Sequence, residues 1–440
     1  MKASSCSKSH RDDSQFGGLA RFCATGATQV LAAVGGLLLA VVIARTGGPE
    51  RLGMFTIMLS LLGVLGMIAR RGQGSLLTRS VAWAVHEKGA RASVSLLLLA
   101  VRRIVLSSIV LGLTGSAILS SGILGAPFPG AVHALPVMLF LVTSLALFAA
   151  YARGSARPWL APLFELGGIS CLTVLLLMPS LVRGSNLTST GVMFGFLLSM
   201  LLLALIAGAI TRANHPVNRE MLFPEARLRE ELSRGQVPFT LIALAGFLLQ
   251  SGSFLLAAPF LNEIEIGLLR GAERLALLVS FCTLVINPMI APGIVRLSRG
   301  GDANTLRRLT FQAMLVSAGI AACVLLPLLI WPERALALLG AEFGTATGYL
   351  RIMALAQFAA ALLGPLAMIL HMTGRERVSM WANLATLAVA AVLVPGLSLT
   401  HGAFGFALAY AAIIMTRLGL IGGATLLTGP IEPPGSGGIK

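Results

Sequence analysis

The sequence predicts an all-α integral membrane protein of about twelve transmembrane helices. Three observations carry that prediction. Of 440 residues, 56% are hydrophobic and 11% charged, with a mean hydropathy of +0.88. A soluble domain carries about 25% charged residues, and so much apolar surface has no soluble core large enough to hide it. The apolar residues also fall in runs of about twenty, the length that spans a bilayer as helix. Finally, the short alternating segments of a membrane barrel are missing.

The runs lie near 20–44, 53–70, 103–125, 131–152, 159–180, 190–211, 236–261, 266–290, 310–331, 346–370, 378–396 and 401–425. Lipid offers the backbone no hydrogen-bond partner, so each run is read as helix. Residues 1–19 are polar and mixed in charge and form a short tail. The run after them is too long for a signal-peptide core and has no small-residue cleavage site, so it is expected to stay as the first span. Pro288, Pro292 and Pro365 sit inside runs and predict kinks, because proline removes one helical hydrogen bond.

Basic residues orient the chain. If both termini are cytoplasmic, the inner side holds Lys2, Lys8, Arg11 and Arg21 in the tail. It also holds Arg70, Arg71, Arg79, Lys88, Arg91, Arg102 and Arg103 between the second and third runs. Arg153, Arg157, Arg212, Arg219, Arg227, Arg229, Arg234, Arg296, Arg299, Arg307, Arg308, Arg375, Arg377 and Lys440 fall on the same side. The outer side holds Arg45, Arg51, Arg183, Arg270, Arg274, Arg334 and Arg351. The bias is roughly threefold and follows the positive-inside rule. The net charge of +16 is therefore assigned to loop anchoring. Nucleic acid is not expected, since no basic cluster is interleaved with stacking aromatics.

The chain repeats itself. ARTGGPERLGMF places Gly53 before the second run, and APFLNEIEIGLL places Gly267 before the eighth. Each is an acidic, outward-facing stretch that passes through glycine into a long helix ending in basic residues. The separation is about half the chain, which implies two six-helix lobes of the same orientation. The expected organisation is a cytoplasmic tail (1–19), an N-terminal lobe (20–211), a cytoplasmic linker (212–235), a C-terminal lobe (236–425) and a second cytoplasmic tail (426–440). Alternating charge in the linker predicts a solvated surface helix.

Catalytic signatures are absent from the sequence: no GxSxG elbow, no phosphate-binding GxxxxGK[ST] loop, no HExxH pair. The five cysteines and six histidines show no ligand spacing, so neither a disulfide framework, a metal site nor a cofactor is expected. The chemistry is sought instead in polar residues inside the runs, which are costly there and face an interior. These are Gln29, Glu165, Gln250, Glu273, Arg274, Gln357 and Asn383. Gln and Asn also serve simply as bridges between helices. Glu273 and Arg274 are adjacent, about 100° apart on a helix, and need not pair with each other. Glu165 has only Gly, Leu and Phe as sequence neighbours. It is either a buried carboxyl or a proton-coupling group.

Three stretches together resemble the oligosaccharide and polysaccharide flippases, the O-antigen flippase type, of the multidrug/oligosaccharidyl-lipid/polysaccharide exporter superfamily. They are IARTGGPERLGMFTIMLSLLGVLGMIARRGQGSLLTR from Ile43, EIGLLRGAERLALLVSFCTLVINPMIAPGIVRLSR from Glu265, and the stretch from Leu338 to Leu384 with its Met-Thr-Gly turn. The resemblance spans about residues 16–425. It implies two six-helix bundles around a central cavity that opens alternately to each face of the bacterial inner membrane. It further implies an undecaprenyl-pyrophosphate-linked oligosaccharide as substrate, for surface or exopolysaccharide synthesis, with a polysaccharide polymerase and a chain-length regulator as partners beside the membrane lipids. By position it assigns substrate binding to Arg21, Arg70 and Arg274, with Gln29 and Gln250 as polar lining; Glu165 and Glu273 are the coupling candidates. Two other readings stand beside it: a drug/cation antiporter of the same superfamily, which needs intramembrane carboxylates, and a membrane glycan polymerase or ligase, which needs a large outer loop that this sequence lacks.

Overall fold

Each of the twelve apolar runs falls mainly on helix in the computed structural model, and no strand occurs among the described residues. The structure describes residues 6–87, 90–155, 157–183, 187–214, 236–299, 303–372 and 376–427. The expected surface helix in the 212–235 linker lies almost wholly outside them.

Helix α1 runs from Cys6 to Arg70 and is broken at Gly48, whose φ of 67° is left-handed. Its apolar part, Ala24–Arg70, has 47 residues. At 1.5 Å per residue that is about twice the thickness of a bilayer core, so it holds two spans that meet at Gly48. The same device recurs in the last helix, Glu376–Leu427, which breaks at Gly402 with φ 58°. Only glycine reaches such angles without strain. Among the described residues, seven helices are long and apolar enough to cross a membrane, or eight if one bent pair counts as a span. This is a multi-pass membrane protein.

Between the long helices the structure adds detail that periodicity did not reveal. A short helix α2 (Gln73–Glu87) occupies what was expected to be loop, and α3 (Ala90–Ser120) starts thirteen residues before the expected span. After α4 (Ala131–Gly154) the fifth run is bent by 57°, with a 3-10 turn at Pro158–Phe164 leading into α5 (Leu166–Val182). Two prolines, Pro158 and Pro162, impose that turn. Then come α6 (Ser189–Asn214) and α7 (Gln236–Phe247), which passes through a π turn at Leu248–Gly252 into α8 (Ser253–Ala257). The eighth run is divided at Phe281 into α9 (Glu263–Ser280) and α10 (Cys282–Arg299). Helices α11 (Ala303–Ile330), α12 (Pro332–Leu336), α13 (Thr347–Met372, with Pro365 inside it) and α14 (Glu376–Leu427) complete the chain.

The chain forms two compact units. Unit 1 holds Met1–Leu39, Leu65–Ala117 and Pro129–Leu241; unit 2 holds Ala40–Val64, Ile118–Phe128 and Ile242–Lys440. Each carries apolar side chains on its outside as well as in its core. In unit 1, α3 turns Val105, Leu106, Ile109, Val110 and Leu113 outward while Ser93, Ser95, Ser107 and Ser108 are buried. Lipid gives no hydrophobic reason to bury leucine, so interhelical contacts fall to small residues and hydroxyls. Ser107 donates to the Ala69 carbonyl at 3.1 Å, Ser108 meets Thr143 at 3.3 Å, and Thr173 donates to Ser199 at 3.0 Å. Unit 2 follows the same rule: Ser317 donates to the Ala361 carbonyl at 2.7 Å, and Ser60 donates to Ser251 in the π turn at 3.2 Å.

Candidate functional site

Helix α9 begins with a capping box. Asn262 accepts from the Glu265 amide at 2.8 Å, and the Glu265 carboxylate accepts from the Asn262 amide at 3.1 Å. That fixes the register of the following turns, and with it the three charged residues Arg270, Glu273 and Arg274. Arg270 and Glu273 are three apart and so share a face. Arg270 Nη1 donates to Glu273 Oε2 at 2.6 Å, with the side chains only 7% and 2% exposed. The Arg270 guanidinium also lies 5.1 Å from the centre of the Phe254 ring, a cation–π contact that replaces part of its lost hydration. Phe254 in turn packs on Phe406 at 4.9 Å.

Arg274, one position on, is half-buried and makes no ion pair or hydrogen bond among the described residues. Arg270, Glu273 and Tyr410 act on it electrostatically. Tyr410, from α14, accepts from Gln357 Nε2 of α13 at 2.6 Å. The cluster thus joins α9, α13 and α14. It contains two guanidiniums and one carboxylate, and the carboxylate is committed to Arg270. A net positive charge is left on Arg274, inside unit 2. Its planar fork can donate to two oxygens of a phosphate at once.

A second cluster of the same make-up occurs in unit 1. Arg153 Nη1 donates to Glu165 Oε1 at 2.5 Å, and both side chains are a little over 40% exposed. Arg70, at the end of α1, donates through Nε to the Gly66 carbonyl and through Nη2 to Met67 Sδ. Both Glu165 and Arg153 act on it electrostatically.

These placements revise several expectations from sequence. Glu165 is not enclosed by apolar neighbours, because the bend before α5 carries it to the end of α4 and onto Arg153. Glu273 is buried as expected of an interior carboxyl, but it is paired within its own helix. Gln29 is exposed on the first limb of α1. Arg21 lies on that helix and Gln250 in the π turn, with both side chains outside the described residues. Gln357 acts as the interhelical bridge that sequence allowed. Sequence reasoning missed Arg270, counted there as an outer-side cation, and Arg153, counted as an inner anchor. The signal that could have found Arg270 is its i,i+3 spacing to Glu273. The twelve-residue separation of Arg153 and Glu165 across a turn carries no such signal.

No protein-family model and no curated protein sequence matches the chain. Solved structures do. An inward-facing multidrug resistance MATE family transporter of the MOP superfamily matches over 91% of this chain and 94% of its own, with a TM-score of 0.68 and 15% identity. The lipid II flippase MurJ, in an inward closed conformation, matches over 93% of this chain and 87% of its own, with a TM-score of 0.68 and 13% identity. A MOP superfamily transporter from Pyrococcus furiosus, described as having a binding pocket of reverse polarity, matches over 92% and 94% with a TM-score of 0.54 and 14% identity. At these identities the likeness concerns architecture, and it covers nearly the whole chain: the protein has the fold of the MOP superfamily transporters.

Proposed function

We propose that this protein flips a lipid-linked oligosaccharide with an anionic headgroup, of the undecaprenyl-pyrophosphate class, across the bacterial inner membrane by alternating access. The observation that carries the reading is Arg274, a half-buried guanidinium with no carboxylate of its own, beside a pair that is already neutral. A pyrophosphate must leave water to cross, and that is costly unless fixed positive charge replaces the water. The fold is shared by a flippase of a lipid-linked precursor, and the three resembling stretches point the same way. In this reading the halves 20–211 and 236–425 act as two lobes, with the linker and both termini cytoplasmic. Product goes to a polysaccharide polymerase and its chain-length regulator.

The same fold also serves multidrug transporters. A cation antiporter needs interior carboxylates free to bind cations, whereas the enclosed one, Glu273, is committed to Arg270. That favours an anionic cargo. A glycan polymerase or ligase is disfavoured by the short outer connections.

The test is surface-glycan display beside immunoblot level in a deletion strain. Arg274→Ala is expected to lose display at near-normal abundance, and Arg274→Lys to restore only part of it, since a point charge lacks the fork. Exposed Arg183→Ala is the control and should behave as wild type. Normal display by Arg274→Ala would remove the basis of the reading.

A further inference from the structure

In unit 1 Arg153 and Glu165 form an ion pair, and Arg70 lies within electrostatic reach of both. Arg70 is in the last turn of α1, Arg153 in the last turn of α4, and Glu165 is the residue that opens α5. An arginine in a last helical turn has an ordinary reason to be there, because it faces the negative end of the helix dipole. Glu165 has no such ordinary use. A carboxylate at a helix start normally caps its own helix, yet Glu165 makes no capping hydrogen bond and reaches across to Arg153 instead. Arg70 has no carboxylate partner among the described residues and bonds only to its own preceding turn. Two guanidiniums and one carboxylate leave a net charge of plus one, as around Arg274.

The two clusters differ in burial, and burial decides what each can do. The Arg270–Glu273 pair is almost wholly enclosed, and separating it would strand two charges. The Arg153–Glu165 pair is more than 40% exposed on both sides. Such a pair is weak, because water and salt solvate its members when they part. One pair is therefore a fixture and the other can be exchanged.

We infer that Arg70 and Arg153 form a second, exchangeable binding site for a phosphate or pyrophosphate group, in which Glu165 is the internal occupant that an incoming anion displaces from Arg153. Arg153 supplies the fork, Arg70 the second charge, and the released Glu165 turns to water. In the orientation that the basic loops imply, the site lies on the cytoplasmic face. There it would receive the headgroup before Arg274 does. The inference rests on the flippase reading for its ligand and adds Arg153 and Glu165 to the residues that hold it.

The experiment measures binding of inorganic pyrophosphate to the full chain in nanodiscs, with farnesyl diphosphate as competitor. An Arg274→Ala background isolates this site from the one in unit 2. Glu165→Gln is expected to tighten pyrophosphate binding by about three- to fivefold, the scale of one exposed ion pair. Arg153→Ala is expected to weaken it by about tenfold, the scale of a lost charge-assisted hydrogen bond. Arg153→Lys should fall between, which separates a lost fork from a lost fold. Competition by farnesyl diphosphate supports a lipid headgroup as ligand; its absence overturns that ligand. Unchanged or weaker binding in Glu165→Gln overturns the inference, even if Arg153→Ala fails to fold. That result leaves the flippase reading standing, because that reading falls only on normal glycan display by Arg274→Ala.

Discussion

Gly53 packs against the backbone carbonyl of Glu263, and Gly267 packs against the backbone carbonyl of Pro49. Each partner lies four residues before the other glycine, so the contact is reciprocal, like that across a local two-fold axis. A Cβ at either glycine would overlap the facing carbonyl. The crossing brings the second limb of α1 and the start of α9 to backbone contact inside unit 2. Close by, the Glu263 carboxylate accepts from the Ala126 amide, and Arg45 Nε donates to the Leu338 carbonyl at 2.7 Å. Gly53→Ala and Gly267→Ala should each force the two helices apart, since a backbone carbonyl cannot rotate out of the way. The measurement is bismaleimide cross-linking between Arg45→Cys and Leu338→Cys in a cysteine-free chain. Cross-linking should fall in either alanine variant while Gly74→Ala, whose added methyl meets nothing within 4 Å, leaves it intact.

The capping box that starts α9 sets the register of its charged residues, and its loss should be felt as stability. Asn262→Ala removes one of its two reciprocal bonds. The expected cost is about 1 kcal/mol, read as a lower thermal-unfolding midpoint in detergent. Asn262→Asp keeps an acceptor and should stay near wild type. An unchanged midpoint in Asn262→Ala would mean that packing alone positions α9.

Membrane class, helical runs and the Gly53/Gly267 repeat were legible because each rests on composition or on a short local pattern. The same holds for the interior placement of Glu273, which hydropathy alone suggests. What stayed hidden depends on partners distant in the chain. Helix α2 was missed because its apolar residues are too few for a span, while its buried face, Leu76, Leu77, Val81 and Ala84, is satisfied by packing within the fold, α4 included. Arg153 looked like any inner cation until the bend at Pro158–Phe164 brought Glu165 back to it. Arg270 lies inside the expected span at 266–290 yet was counted as an outer-side cation, because its enclosure depends on the pair it makes with Glu273 and on the Phe254 ring packed against it.

Topology has its own test. If both termini and the linker are cytoplasmic, a cysteine at Arg227 and one at Arg183 lie on opposite faces. In intact cells a membrane-impermeant maleimide should label Arg183→Cys and spare Arg227→Cys in a cysteine-free chain. Permeabilised cells should label both. Outside labelling of Arg227→Cys would overturn the orientation drawn from the basic loops.

Burial also predicts which of the two arginine–carboxylate pairs the fold needs. Glu165→Ala breaks a pair that water already reaches, and such pairs contribute at most about 1 kcal/mol. Its abundance should match wild type. Glu273→Ala leaves Arg270 enclosed, facing Phe254 with no carboxylate, and breaking a buried pair from one side costs about 3–5 kcal/mol. That is a large share of a typical total stability, so Glu273→Ala should be poorly expressed. Removing both charges removes the stranded one, so Arg270→Met combined with Glu273→Leu should recover abundance. The measurement is immunoblot level together with the thermal midpoint of purified protein. Recovery in the double variant would mark the pair as a structural fixture that holds α9 while Arg274 is left free for the cargo. If Glu273→Ala accumulates normally but loses glycan display, Glu273 acts in transport itself, and the coupling role foreseen from the sequence returns to it.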